Sequence, residues 1–258
     1  SILKYIKFRS GGKSIAKMLN AIRIEAVKQD QKIIRLINIV AEISIASGVV
    51  APTIYVLPEE KGINAFVAGY NPNDIILVVT QGTLDNLTRE ELQGVIAHEF
   101  SHIFNSDTVI NLRLLIVLGG LLTLSQLGYA MMRRNNRSNR VVFIGIVIYL
   151  IGSLGLLFGN IIKATISRRR ETLADASSVQ YTRNPAGITT ALLKIQAQGS
   201  AALMDNPQAE NVNHFCFSKA SDINFSSLFE THPKLETRIA LLDPTGEITS
   251  NFKNKKIV

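Results

Sequence analysis

Two stretches, Leu114–Met132 and Val141–Ile162, contain no charged residue, and nothing else in the chain restricts its fold so tightly. At 1.5 Å of rise per residue, each is long enough as a helix to cross a hydrocarbon core of about 30 Å. The short polar segment between them makes the pair read as a helical hairpin. A buried hairpin in the core of a soluble protein is the competing interpretation. Composition favours the membrane: the chain is 47% apolar and only 19% charged, with positive mean hydropathy, more apolar than an average soluble domain. Thr123, Ser125, Gln126 and Asn160, with Gly155-Leu156-Leu157-Phe158-Gly159, suit helices that pack closely through small residues.

Charge is arranged around these runs. The net charge is +8, with Lys4, Lys7, Arg9, Lys13 and Lys17 near the start, Arg133, Arg134, Arg137 and Arg140 in the hairpin turn, and Arg168-Arg169-Arg170 after the second run. Basic clusters flanking apolar segments point to anionic lipid headgroups of a bilayer. Nucleic acid is not expected as a partner, because no basic patch is interleaved with aromatics. Arg113, Lys163 and the Arg168–Arg170 cluster on one side nearly balance the four turn arginines, so the positive-inside rule leans only weakly to a cytoplasmic active site. Cys216 is the only cysteine, which excludes an intramolecular disulfide and agrees with a reducing compartment. No signal peptide opens the sequence, which starts at Ser1 and reads like the interior of a longer protein.

Chemistry enters at His98-Glu99-Phe100-Ser101-His102, an HExxH pentapeptide that takes two of the four histidines in the chain. On a helix, residues four apart return to nearly the same face, so both imidazoles can converge on one ion with Glu99 beside it. The flanking residues predict that helix. Thr88 with Glu91 forms a capping box, and Leu92, Val95, Ile96 and Phe100 recur on an apolar stripe. Two histidines on an ordinary amphipathic helix would be the plainer interpretation, but it must accept their i, i+4 spacing and the intervening glutamate as chance.

Around this helix the pattern predicts helices near 14–21, 30–47, 167–182, 186–198 and 233–242, and strands at Thr53–Leu57, Asn64–Ala68 and Ile75–Thr80. A catalytic zinc ion usually takes three protein ligands and leaves one position open. Glu171 is the best candidate for the third, with Asp175 one helical turn later placed to accept the free N–H of a ligand histidine. Alone, that pair of carboxylates is weak evidence, because such pairs are common on solvated faces.

Taken in order, His98-Glu99-Phe100-Ser101-His102, the two apolar runs, Glu171-Thr172-Leu173-Ala174-Asp175, and Thr231-His232-Pro233 with Arg238 resemble the M48 family of membrane zinc endopeptidases, nearest to its HtpX type of bacterial quality-control protease. The likeness runs from Ser10-Gly11-Gly12 to Asp243-Pro244. It implies one zinc ion per chain held by His98, His102 and Glu171, Glu99 as general base, Asp175 as orienting partner, and Asn64-Ala65-Phe66 at a sheet edge that takes substrate as an added strand. Members usually carry further membrane helices upstream, which this sequence does not include, and often have a second proline where Lys234 stands.

The expected fold is α+β: a mainly helical zincin-type metallopeptidase domain with a small three-stranded sheet and a transmembrane-type hairpin projecting from the catalytic helix itself. Residues 1–113 and 163–258 would form the two parts of the peptidase domain and 114–162 the inserted hairpin. His232 could donate to the oxyanion of the tetrahedral intermediate while Arg238 grips a carboxylate or backbone carbonyl. The plainer interpretation makes His232 a first-turn residue and Arg238 a solvated arginine; the resemblance favours the functional one. Expected partners are polypeptide substrates, membrane proteins foremost, and the lipid bilayer of a bacterial inner membrane. A processing protease with one substrate, a catalytically silent chaperone and a membrane-surface scaffold are the alternatives.

Overall fold

The computed structural model describes residues 12–25, 30–69, 74–133, 139–198 and 233–255. Along the chain these form α1 (Gly12–Met18), β1 (Ile22–Arg23), α2 (Gln31–Ser47), β2 (Thr53–Leu57), β3 (Ala65–Ala68) and β4 (Ile76–Thr80). There follow α3 (Gln81–Asn86), α4 (Arg89–Phe104), α5 (Asp107–Arg133), α6 (Asn139–Thr182), α7 (Pro185–Gln198), α8 (Leu235–Leu242) and α9 (Glu247–Lys255). The protein is mainly helical, with one small mixed sheet and two long apolar helices. The described residues divide into two compact units, one drawn from 12–108, 170–198 and 233–255, the other from 109–169.

In the first unit the sheet runs in the order β1-β2-β4-β3, with β2 and β4 parallel and the outer pairings antiparallel. It has four strands, not the expected three. The extra strand β1 is two exposed residues long and carries no alternating pattern, so only its pairing of Ile22 with Val56 and Arg23 with Tyr55 reveals it. Both faces of the sheet are covered. Val56, Ala65, Val67, Leu77 and Val79 face the large core shared with α2, α4 and α7, while Tyr55, Leu57, Phe66, Ala68, Ile76 and Val78 face α1. Two-sided burial explains why β4 reads as an unbroken β-branched and aliphatic run.

Local chemistry fixes the ends of the elements. Asp30 accepts from the Lys32 amide to start α2, and Gly48, at φ 71°, ends it in a left-handed turn with its N–H on the Ser44 carbonyl. The capping box expected for α4 is present: the Glu91 amide donates to Thr88 and the Thr88 amide donates to the Glu91 carboxylate. That carboxylate also receives Lys194 from α7 at 2.7 Å. Between β4 and β3, Thr80 and Thr83 both accept from the Asn64 amide, which pins the start of β3 to α3.

Helix α4 is buried on almost every side, and glycine makes that possible. A Cβ at Gly94 would sit 2.7 Å from the Ile188 nitrogen, and one at Gly187 would sit 2.5 Å from the Glu90 carbonyl oxygen. So α4 and α7 cross backbone against backbone. On another side Ser178 of α6 donates to the Gly94 carbonyl at 2.7 Å.

The sequence treats 141–162 and 167–182 as separate helices, whereas α6 is one continuous helix of 44 residues, about 66 Å long. No glycine cap or proline lies between the runs, so nothing stops the first from propagating into the second. At the other end of the hairpin the expectation was a catalytic helix continuing onward, but α4 stops at Phe104. Asn105 folds its side-chain amide onto the Ser101 carbonyl and Ser106 adopts φ 55°, so α5 starts afresh at Asp107.

In the second unit the apolar parts of α5 and α6 lie against each other. A Cβ on Gly128 would meet the Tyr149 nitrogen at 2.4 Å and one on Gly152 the Ser125 nitrogen at 2.5 Å, while the Ser125 and Ser153 hydroxyls bond at 3.0 Å. Small residues thus line the crossing, as expected of helices in lipid. Outward-facing Val117, Leu127, Phe143, Ile151, Leu154 and Phe158 are exposed, which does not suit a buried core hairpin in a soluble protein. Both helices are long and apolar enough to cross a membrane.

Gly94→Ala should destabilise the first unit by about 1–3 kcal/mol, because its methyl group has to displace the α7 backbone. A lowered denaturation midpoint would show this, and an unchanged one would contradict the close crossing.

Candidate metal centre

Three helices of the first unit supply the site. One turn of α4, from His98 to His102, carries both histidines, and α6 contributes Glu171 and Asp175 on the face held to Gly94 by Ser178 three residues further on. Arg238 enters from α8. The His98 Nε2 and His102 Nε2 atoms lie 3.1 Å apart, and the Glu171 carboxylate reaches to 3.6 Å from the first and 3.7 Å from the second. His98, Glu99 and His102 form the compact donor cluster found among the described residues.

Each imidazole is oriented from behind. Asp175 Oδ1 lies 2.9 Å from His98 Nδ1, and Asp107 Oδ2 lies 2.7 Å from His102 Nδ1. When both Nδ1 atoms donate to these carboxylates, both Nε2 atoms carry lone pairs pointing at one another. Two facing lone pairs at 3.1 Å repel unless a proton or a metal ion lies between them. Ligand atoms around a tetrahedral zinc ion are separated by about 3.3–3.5 Å, given metal–nitrogen bonds near 2.0–2.1 Å. The observed spacings fit such a donor set. Charge fits too: the buried carboxyl groups Glu99, Glu171 and Asp175 lie around the Arg238 guanidinium, so carboxyl groups outnumber permanent cations there.

Ionisation follows from the crowding. Burial alone would depress His98, but the Asp175 and Glu171 hydrogen bonds outweigh it and push its pKa up to about 9. His102 moves down, first through burial and then through the neighbouring His98. Burial lifts Glu99 up to about 7 against the opposing fields of His102 and His98. Neither Glu99 oxygen has a hydrogen-bond partner of normal geometry, with the Val67 amide of β3 as the backbone group acting on it. A buried carboxylate with so little hydrogen bonding is a group held ready to accept a proton.

Of the residues anticipated from sequence, His98, Glu99, His102, Glu171 and Asp175 converge. Arg238 also reaches the site, but it is buried: its Nε donates to Asp175 Oδ2 at 2.8 Å, its Nη2 to Asp175 Oδ1 at 2.6 Å, and its Nη1 lies 3.4 Å from Glu171. Those donors are spent on carboxylates, so the substrate-gripping role expected for Arg238 gives way to bracing Asp175. The same carboxylates hold Arg238 firmly protonated despite its burial. Asn64, Ala65 and Phe66 lie at the start of edge strand β3, with Phe66 turned toward α1 and away from the histidines. His232 lies outside the described residues. The sequence reading missed Asp107 because its partnership with His102 depends on the irregular turn at Asn105-Ser106, which no helical period encodes.

Residues 28–245 match the pattern of peptidase family M48. A protein described as a protease HtpX homologue from Dictyoglomus turgidum is 37% identical over 218 residues, covering 82% of this chain and 69% of that protein. Another from Desulfatibacillum aliphaticivorans is 34% identical over 230 residues, covering 87% and 73%. The crystal structure of S. mikatae Ste24p shares the fold with a TM-score of 0.56 at 18% identity, covering 93% of this chain and 56% of that one. The chain belongs to peptidase family M48.

Because the folded His98 pKa stands above its ordinary value, its contribution to stability is complete below about pH 6.5 and fades as pH rises toward 9. Metal-free protein should therefore melt at a lower temperature at pH 9 than at pH 7. Added zinc should remove most of that slope, and an identical slope with and without zinc would contradict the donor assignment.

Proposed function

We propose that this M48 metallopeptidase is a membrane-anchored, zinc-dependent endopeptidase of a bacterial inner membrane, its site facing the cytoplasm, that cleaves membrane or misfolded proteins. The observation that carries the reading is the convergence of the two Nε2 atoms and the Glu171 carboxylate beside the buried Glu99. His98, His102 and Glu171 would hold the ion. When bound, zinc supplies Lewis acidity that polarises a scissile carbonyl and acidifies water.

The side chains of the protein do the rest. Glu99, with a pKa near neutrality, takes a proton from the attacking water and hands it to the departing amine. Asp175, braced by Arg238, keeps the His98 proton on Nδ1 and so keeps Nε2 a lone-pair donor. His232 is the residue we assign to the oxyanion, on the strength of the sequence and the family resemblance. Edge strand β3 packs beside α4 and, among the described residues, has one unpaired side, and the Val67 amide acts on Glu99, so a substrate segment added to β3 would pass close to the base. Recognition of that kind reads backbone more than side chains, which suits a protease with broad substrates over one with a single target.

The two apolar helices support anchoring in lipid, and the basic groups around them support contact with anionic headgroups. Zinc content measured alongside hydrolysis of an unfolded protein such as casein, with and without chelator, tests the reading directly. Glu99→Gln should keep zinc while losing hydrolysis by about 10²-fold or more. Full activity in that variant would remove Glu99 from the mechanism, and a zinc-free, inactive wild type would point to a scaffold.

A further inference from the structure

Asp107 and Arg170 lie outside the ligand set but touch it. Asp107 is the first residue of α5, and its carboxylate is 5% exposed. One oxygen lies 2.7 Å from His102 Nδ1, and the other is paired with Arg170, whose Nη1 also reaches the Asn105 carbonyl at 3.4 Å. Arg170 immediately precedes Glu171 on α6. A single ion pair therefore connects the back of one imidazole to the residue next to the third donor.

We infer that Asp107 and Arg170 form a positioning pair for His102, fixing its proton on Nδ1 so that Nε2 presents a lone pair toward His98 and Glu171. The inference rests on the metal-site reading above. Asp175 does the same for His98, with Arg238 as its brace, so the two histidines are held by parallel arrangements of imidazole, carboxylate and guanidinium. A carboxylate can only accept from Nδ1–H, which leaves one neutral tautomer available. Arg170 offsets the negative charge of Asp107 and takes its second oxygen, so the carboxylate cannot rotate off the ring.

A purely structural role is the alternative, Asp107 favouring the amino end of α5 and pairing with Arg170. The two roles differ in what they move. Zinc affinity of the full chain in detergent is measured by competition with a chromophoric chelator, the visible spectrum of its cobalt form is recorded, and the metal-free melting temperature serves as control. In Asp107→Asn the amide N–H₂ donates to Nδ1 and drives the proton to Nε2. We expect zinc to bind about 10- to 100-fold more weakly, with shifted cobalt bands and little change in metal-free melting. Asp107→Glu should recover part of the affinity, and Arg170→Gln should weaken binding less than Asp107→Asn does. The surface ion-pair variant Asp85→Asn should bind like wild type.

Wild-type affinity and cobalt spectrum in Asp107→Asn would overturn the proposal. So would a lowered metal-free melting temperature with unchanged affinity. Should Asp107→Asn not fold, unchanged affinity in both Asp107→Glu and Arg170→Gln overturns it equally. If wild-type protein binds no zinc, the metal-site reading itself fails, a result distinct from all of these.

Discussion

Asp175 is the contact on which the rest of the site depends. Its two oxygens join three segments far apart in sequence: Oδ1 meets His98 of α4 and Arg238 of α8, and Oδ2 takes the Arg238 Nε. An unpaired carboxylate at that depth would be costly, and so would an unpaired guanidinium. Together they satisfy one another and fix a ring. Breaking the pair from either side leaves an uncompensated buried charge, so the arrangement is held by the penalty for opening it more than by the attraction within it.

The backbone serves that arrangement by allowing α4 to be buried to an unusual degree. Gly94 and Gly187 let α7 approach within atomic contact, and Ser178 ties α6 to the Gly94 carbonyl. With α4 enclosed, Glu99 loses water and its pKa rises, which is what a base working near neutrality requires. The same enclosure that suits packing therefore tunes the chemistry.

Much of this was legible in the sequence, for a physical reason. Capping at Thr88-Glu91, the i, i+4 histidines and the charge-free runs are local patterns, and local patterns survive without tertiary context. Glu171 and Asp175 were readable because they share a helical face. Several features escaped, the last helix α9 among them. Strand β1 has no pattern of its own, α3 follows β4 without a break, the union of 141–162 with 167–182 has no stop signal to contradict or announce it, and Asp107 reaches His102 only through a left-handed residue at Ser106. Arg238 was found but given the wrong partner, since only the fold shows that Asp175 lies in its path.

The continuity of α6 bears on the order in which the protein is made. Ribosomal synthesis proceeds from the amino end, so His98, Glu99 and His102 emerge before residues 109–169, and Glu171, Asp175 and Arg238 emerge after them. The donor set thus stays incomplete through the synthesis of both apolar helices. A hydrolase whose active site closes last cannot cut before its two long apolar helices have been made, and the interval is set simply by where the hairpin falls in the gene.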